Sequence, residues 1–203
     1  MQNRRKENLV FLVFFLVMLL CPLCRGVVYT FGGGFDLPIP NNPDETKGWM
    51  DDAIVVVPDH YIVEDIDVAV TITHSNVFDL QLYLQSPAGT KICLNMYNSD
   101  RDFFKGQNYT QTIFDDEAAI PIEQADAPFT GRFRPIQPFK LSLFDGEDAC
   151  GQWKLQVYDA YYSDRGTLNN FEIIVTTTPE PETFLLLLSG AMLMFVFHHN
   201  KNG

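Results

Sequence analysis

The sequence predicts an all-β domain built as a two-sheet sandwich of about eight short strands. Aromatic residues make up 13% of the 203 residues, and glycine and proline are spread along the chain, as is typical of strands and turns. Between residues 50 and 178, apolar and polar residues alternate over short segments, and no long stretch has helical periodicity. About 130 residues of this kind are enough to bury a core.

Each predicted strand rests on a local pattern. Residues 54–57 form a continuous apolar run that predicts a buried strand, which ends at Pro58. Four later segments alternate with period two and predict strands with one buried face: 66–72, 80–84, 153–157 and 171–175. Turn residues separate the strands at Ser86-Pro87-Ala88-Gly89, Asp145-Gly146, Cys150-Gly151 and Arg165-Gly166. Trp153 is the expected anchor of the core.

The first 26 residues have the pattern of a secretory signal peptide. A basic start is followed by a 12-residue apolar run at 9–20, which is too short for a bilayer span of about 20 residues. Small residues near Gly26 suit cleavage there. We therefore expect an exported mature chain that begins near Val27, with residues 27–50 as a lead-in segment and an edge strand at 35–39.

The other end of the chain, residues 179–203, carries a second targeting pattern. The triplet Pro179-Glu180-Pro181 precedes an apolar run at 184–197, which would be roughly 21 Å long as a helix. The run is apolar on every face, unlike a helix that packs on a globular core. The arrangement resembles the PEP-CTERM sorting signal of exported bacterial proteins. This resemblance implies an exosortase-type partner and membrane association through the hydrophobic helix, although one lysine and two histidines replace the usual arginine cluster.

The charge balance excludes one large class of partner. Lys and Arg number 14 against 26 Asp and Glu, which gives a net charge of −12. A chain this acidic repels phosphates, so we expect no nucleic-acid partner. Acidity is compatible with cation binding and with simple solubility.

The strand segments also resemble, in order, those of the P domain, or P/Homo B domain. The motifs lie between about 52 and 177 and span residues 67–74, 79–90, 114–118, 128–131, 151–155 and 166–171. In that family the domain is a jelly-roll β-sandwich similar to galactose-binding modules. It follows the catalytic domain of subtilisin-like serine proteases and stabilises it. The resemblance therefore implies a jelly-roll P/Homo B domain at 51–178.

The residues do not predict an enzyme. A Ser-His-Asp triad needs a base histidine oriented by a carboxylate beside an exposed serine. Only His60 and His74 precede the tail, and the segment at Ser86 lacks the Gly-x-Ser-x-Gly frame of a nucleophile elbow. No histidines before the tail have zinc-ligand spacing. We expect no catalytic residues, although the resemblance is to a domain that accompanies serine endopeptidases.

Carboxylates are the candidates for site chemistry. Asp115, Asp116 and Glu117 are consecutive, and a hard cation such as calcium takes six to eight oxygen ligands. The resemblance adds weight, because bacterial P domains and related jelly rolls often hold calcium. Asp79 and Asp148 are the candidate distant ligands. A solvated acidic loop is the alternative interpretation of the same residues.

Cys93 and Cys150 are the only cysteines left once the signal peptide is removed. In an oxidising compartment two remaining cysteines are a candidate disulfide. Each lies beside a predicted strand of the same sandwich, so we predict that they pair.

These observations predict an exported, non-catalytic P/Homo B domain protein of the bacterial cell envelope or extracellular matrix, acting as a binding or structural module. The partner would be a protein or a glycan, and Tyr97, Tyr161 and Tyr162 are aromatics that could stack on sugars. The alternative is an accessory domain that stabilises or directs a separately encoded subtilisin-like serine endopeptidase.

Overall fold

The computed structural model describes residues 26–40, 47–98, 106–161 and 164–177. Residues 28 to 177 belong to one compact unit. The predicted signal peptide up to residue 25 and the predicted sorting signal at 179–203 lie outside the described residues. In the described part, no helix is long and apolar enough to cross a membrane.

The described chain is all-β, as the sequence predicts, with ten strands instead of about eight. In chain order these are β1 Val27–Ile39, β2 Gly48–Trp49, β3 Ala53–Val57, β4 Val63–His74, β5 Leu80–Gln85, β6 Lys91–Asn95, β7 Tyr109–Phe114, β8 Phe129–Phe133, β9 Gly151–Asp159 and β10 Gly166–Thr177. Three short 3₁₀ helices, at Val77–Asp79, Ile122–Gln124 and Leu141–Phe144, complete the described elements.

The strands form two five-stranded sheets. Sheet A has the order β1-β10-β4-β7-β8, and sheet B has the order β2-β9-β5-β6, with β3 also paired to β9. Strands β4 and β10 pair antiparallel from Gly166 opposite His74 to Thr177 opposite Val63. Strands β7 and β8 pair parallel. This is the predicted two-sheet sandwich.

The core lies where the alternating segments turn their apolar side chains inward. Trp153 is fully buried, as predicted, and its indole N–H donates to the Ala149 carbonyl at 2.9 Å. Its ring meets that of Phe144 at 5.1 Å between centroids, close to edge-on. Because both the ring face and the polar N–H are satisfied, Trp153 can be buried without cost to its donor.

Strand β3 differs from its prediction. The apolar run at 54–57 predicted a buried strand, but burial alternates, and Ile54 and Val56 are 42% and 57% exposed. Only Ala53, Val55 and Val57 face the core. The strand pairs with β9 at one side of sheet B, so its second face points away from the core. A short apolar run does not by itself distinguish one buried face from two.

The lead-in segment contributes more to the sandwich than the edge strand predicted at 35–39. Strand β1 begins at Val27 and lies next to β10 in sheet A. Gly32 makes this neighbour possible: its φ is +118°, and a Cβ there would lie 2.3 Å from the Phe171 carbonyl oxygen. Only glycine fits both constraints.

Two predicted turn glycines have different roles. Gly89 has φ +95°, and its N–H donates to the Ser86 carbonyl at 3.0 Å, which is the predicted tight turn. Gly166 does not have positive φ. A Cβ there would lie 2.3 Å from the Thr73 carbonyl oxygen and 2.4 Å from His74 Cδ2. Gly166 is therefore needed for the close approach of β10 to β4.

Gly166→Ala should lower the free energy of unfolding by about 2 kcal/mol or more, because the new methyl group meets backbone that cannot yield. Gly34→Ala is the matched control in β1: its Cβ would lie 3.9 Å from the nearest heavy atom, the Asn169 carbonyl oxygen. Urea unfolding of both variants measures the difference. Equal losses in the two would show that close approach is not the constraint.

Candidate functional site

The most developed polar site lies on the outer face of sheet A, around Arg132. Arg132 lies on β8, and its register partner is Ile113 of β7. Its guanidinium binds the Asp115 carboxylate through Nε at 2.5 Å and the Asp67 carboxylate through a terminal nitrogen. Asp67 lies on β4, so one side chain ties together three neighbouring strands. The planar fork of arginine is well suited to two carboxylates at once.

Burial and pairing act in opposite directions on these carboxylates. Burial raises the pKa of Asp67, and Arg132 offsets only part of that rise. Burial also acts to raise the pKa of Asp115, but hydrogen bonds from Arg132 and from the Glu117 backbone N–H outweigh it and leave the pKa below its usual range. Burial likewise raises the pKa of Asp65 nearby. Arg132 therefore keeps charge in a place that would otherwise favour protonated acids.

Asp115 and Asp116 have separate partners, whereas Glu117 lies against Asp115. Asp115 accepts from Arg132 and from the Glu117 N–H at 2.7 Å. Both oxygens of Asp116 accept backbone N–H groups, from Leu141 and Ser142, each at 2.9 Å. Asp116 thus fastens the start of the last 3₁₀ helix. Burial, followed by the neighbouring Asp115, raises the pKa of Glu117.

The structure does not gather the predicted calcium ligands. Asp79 ends the 3₁₀ helix before β5 of sheet B, whereas the three acids follow β7 of sheet A. Asp148 is engaged by His60 and by the Cys150 N–H. In the described ranges, no three His, Cys, Asp or Glu side chains are grouped to hold a metal ion. This placement does not fit a shared calcium site, which needs several converging oxygens.

The two cysteines predicted to pair are both free thiols. Cys93 of β6 lies opposite Tyr83, which lies opposite Gln156 of β9. Cys150 precedes Gln156 by six residues, or about 20 Å of strand. That separation is far beyond the roughly 7 Å that a disulfide tolerates between Cα atoms. Burial raises the pKa of Cys93 to about 11, so its thiol stays protonated and unreactive.

A buried histidine–aspartate contact is a feature that the sequence did not reveal. His74 ends β4, and its Nε2 lies 3.3 Å from Asp159 Oδ2 at the end of β9. Its Nδ1 accepts a hydrogen bond from the Asn76 backbone N–H at 3.1 Å. Both side chains of the pair are 0% exposed. A substrate cannot reach them, so the contact is structural.

The second histidine is at the surface. His60 Nδ1 lies 2.5 Å from Asp148 Oδ2, and the hydrogen bond to Asp148 raises the pKa of His60. Among the described residues, neither histidine is bonded to a serine. A Ser-His-Asp relay is thus not formed in this part of the chain.

The tyrosines considered for sugar stacking are dispersed. Tyr97 lines a small pocket next to Phe78 and Ile136. Tyr161 is 45% exposed, and its N–H donates to Asp159 Oδ1 at 3.2 Å. Tyr162 lies outside the described residues.

The described residues form a two-sheet sandwich in which His74 is buried against Asp159 and His60 forms a surface ion pair with Asp148. The chain belongs to the proprotein convertase P-domain family: the family model matches residues 63–120 and 123–175, together more than half of the chain. This confirms the predicted P domain. A comparison with curated protein sequences gives no match.

Solved structures show only distant similarity. A complex of the Aeromonas sobria serine protease with the chaperone ORF2 has 18% identity and a TM-score of 0.45, covering 76% of this chain and 28% of that one. The Aeromonas sobria serine protease without ORF2 has 17% identity and a TM-score of 0.43, covering 74% and 27%. A structure of infectious bursal disease virus, strain Gt, has 12% sequence identity and a TM-score of 0.34. The match covers 76% of this chain and 32% of that chain. The chain thus spans about a third or less of each.

Arg132→Met should lower the free energy of unfolding at pH 7 by about 1–3 kcal/mol, because two largely buried carboxylates lose their cation. Without Arg132 the pKa values of Asp67 and Asp115 rise, so the loss should shrink as pH falls toward about 4 and both acids protonate in the folded state. Urea unfolding at pH 7 and pH 4 measures this.

Lys154→Met is the control for that experiment. Lys154 forms an exposed ion pair with Asp52 at 3.8 Å, and such pairs contribute about 0–1 kcal/mol. A deficit in Arg132→Met that does not depend on pH would show that the two carboxylates are not its cause.

Proposed function

We propose that this chain is an exported, non-catalytic P-domain protein of the bacterial cell envelope or matrix, acting as a binding or structural module. The observation that carries the proposal is the placement of His60 and His74, the two of the four histidines that lie in the described residues. One is sealed in the core with Asp159, and the other forms a surface ion pair with Asp148. With the family scaffold present and, within the described ranges, no serine bonded to His60 or His74, the domain acts through its surfaces.

The finer features of the proposal rest on the sequence patterns. The basic start and apolar run at 1–26 support export, with a mature chain that begins near Val27. The triplet Pro179-Glu180-Pro181 and the run at 184–197 support sorting by an exosortase-type partner. Until it is sorted, the chain would be attached to the membrane through its hydrophobic segment. The two five-stranded sheets and the family match support a jelly roll of the galactose-binding type.

The family match also favours a second candidate function. P domains of this family are named for proprotein convertases, so the chain would serve as a separate accessory domain of a subtilisin-like serine endopeptidase. In that case the purified chain would lengthen the half-life of the protease at elevated temperature. A partner that binds only the folded state stabilises it by RT ln(1 + L/Kd), where L is the free concentration of the partner, so the effect grows with the concentration of the added chain.

Replacing Pro179, Glu180 and Pro181 by alanine in the native host should leave N-terminal processing intact and hold the chain at the membrane. The wild-type chain should be found outside the cytoplasm with its N-terminus near Val27. Mass spectrometry of the cytoplasmic, membrane and extracellular fractions identifies the N-terminal and C-terminal residues of the chain.

The matched control replaces the neighbouring Glu182 and Thr183 by alanine, which alters the same spacer and spares the triplet. Its fractionation should equal that of the wild type. A cytoplasmic chain that retains Met1 contradicts export, and a triplet variant that fractionates like the wild type contradicts sorting.

A further inference from the structure

The outer face of sheet B carries an exposed aromatic platform, which we define as Trp49, Tyr83 and Tyr158. The ring centroids of Trp49 and Tyr158 lie 4.9 Å apart, and those of Trp49 and Tyr83 lie 6.2 Å apart. Trp49 is 47% exposed, whereas Trp153 is fully buried. A half-exposed tryptophan that gathers two tyrosines around it is unusual on a soluble surface.

The strand register fixes the platform. Trp49 of β2 lies opposite Tyr158 of β9, and Tyr158 lies opposite Gln81 of β5. Alternation along β9 places Tyr158 on the face opposite the buried Val157. Because three paired strands supply its residues, the platform is held by the sheet backbone and needs little ordering on binding.

A lysine lies over the platform. Lys91 Nζ is 4.7 Å from the Tyr83 ring centroid and 5.8 Å from that of Trp49. Within the described residues it has no carboxylate partner at ion-pair distance. The ammonium is therefore held by the aromatic faces, with its donors open to solvent.

Amide and carboxylate groups border the rings. Gln81 Oε1 accepts the Tyr83 hydroxyl at 2.9 Å, and Gln156 Nε2 donates to Asp52 at 2.8 Å. The Gln156 carbonyl oxygen is buried and accepts no hydrogen bond from the described chain, so it is not an open acceptor at the surface. The exposed border thus combines the ammonium donor of Lys91 with the side-chain amide of Gln81.

We propose that this platform binds a neutral polysaccharide, an inference that rests on the binding-module function proposed above. A pyranose ring has an apolar C–H face that stacks on an aromatic ring and equatorial hydroxyls that hydrogen-bond at its edge. Trp49 supplies the stacking surface, and Lys91 and the side-chain amide of Gln81 supply edge partners. A polyanionic chain would meet the repulsion of a protein with net charge −12.

The structure favours a glycan over a protein partner on this face. The apolar surface is a small group of rings bordered by amides and charges, whereas a stable protein interface needs about 800 Å² on each side around a dehydrated core. Polysaccharide sites need only one or two stacked residues and a polar edge. A flat sheet face also suits an extended chain that continues past both sides of the platform.

The test is native affinity electrophoresis of the full mature chain in gels that contain hydroxyethyl cellulose, galactomannan or arabinoxylan, with alginate as the acidic arm. At least one neutral polysaccharide should retard the wild type. Trp49→Ala should weaken that retardation at least tenfold, and Lys91→Met should weaken it less. Tryptophan emission should change on binding, and because Trp153 is buried the change reports Trp49.

Leu143→Ala is the matched control, since Leu143 is 61% exposed on the 3₁₀ helix Leu141–Phe144, away from the platform. It should bind as the wild type does. Equal melting temperatures for all variants establish that Trp49→Ala remains folded. Retardation by alginate alone, retardation by none of the neutral polysaccharides, or equal binding by Trp49→Ala would overturn the proposal.

The outcome is separable from the function on which it rests. If Trp49→Ala binds no differently to polysaccharide but loses the ability to stabilise a subtilisin-like protease, the platform is a protein-binding face and the glycan proposal fails. That outcome would favour the accessory-domain function, the second candidate above. Cytoplasmic retention of the wild type would contradict the proposed function whatever the gels show.

Discussion

A buried contact between His74 and Asp159 joins the ends of the two sheets. His74 is the last residue of β4 in sheet A, Asp159 is the last of β9 in sheet B, and neither side chain is exposed. An unpaired polar group at this depth would cost its full desolvation energy, so each residue needs the other. Gly166 lets β10 begin directly against His74. The end of the sandwich, where three strands stop or start, depends on this one arrangement.

The two outer faces of the sandwich differ in the side chains they present: charged residues on sheet A and aromatic residues on sheet B. On sheet A, Arg132 forms ion pairs with Asp67 of β4 and with Asp115, which directly follows β7. Its charge is therefore balanced within the domain. On sheet B, Tyr158 directly precedes Asp159. Its ring contacts that of Trp49, which lies opposite it on β2. The acidic face of sheet A is therefore a structural brace, whereas the aromatic face of sheet B leaves Trp49 half-exposed.

Local patterns in the sequence predicted the all-β class, the buried Trp153 and the tight turn at Gly89, because each depends on neighbours in the chain. Features that depend on distant partners could not be predicted in this way. The exposure of β3 follows from its position beside β9, and the fate of Asp115 follows from Arg132, which arrives on a parallel strand 17 residues later. The run of three adjacent acids does not by itself reveal that Asp115 pairs with Arg132 and that Asp116 accepts backbone N–H groups.

The most direct test of this account is a double-mutant cycle between His74 and Asp159, using His74→Gln, Asp159→Asn and the double variant. Urea unfolding at pH 7 gives the three changes in free energy. The account predicts a coupling energy of at least about 1 kcal/mol, because the two residues satisfy each other in the core. Additive changes, with coupling near zero, would show that the ends of the two sheets are held by other contacts and would contradict the account.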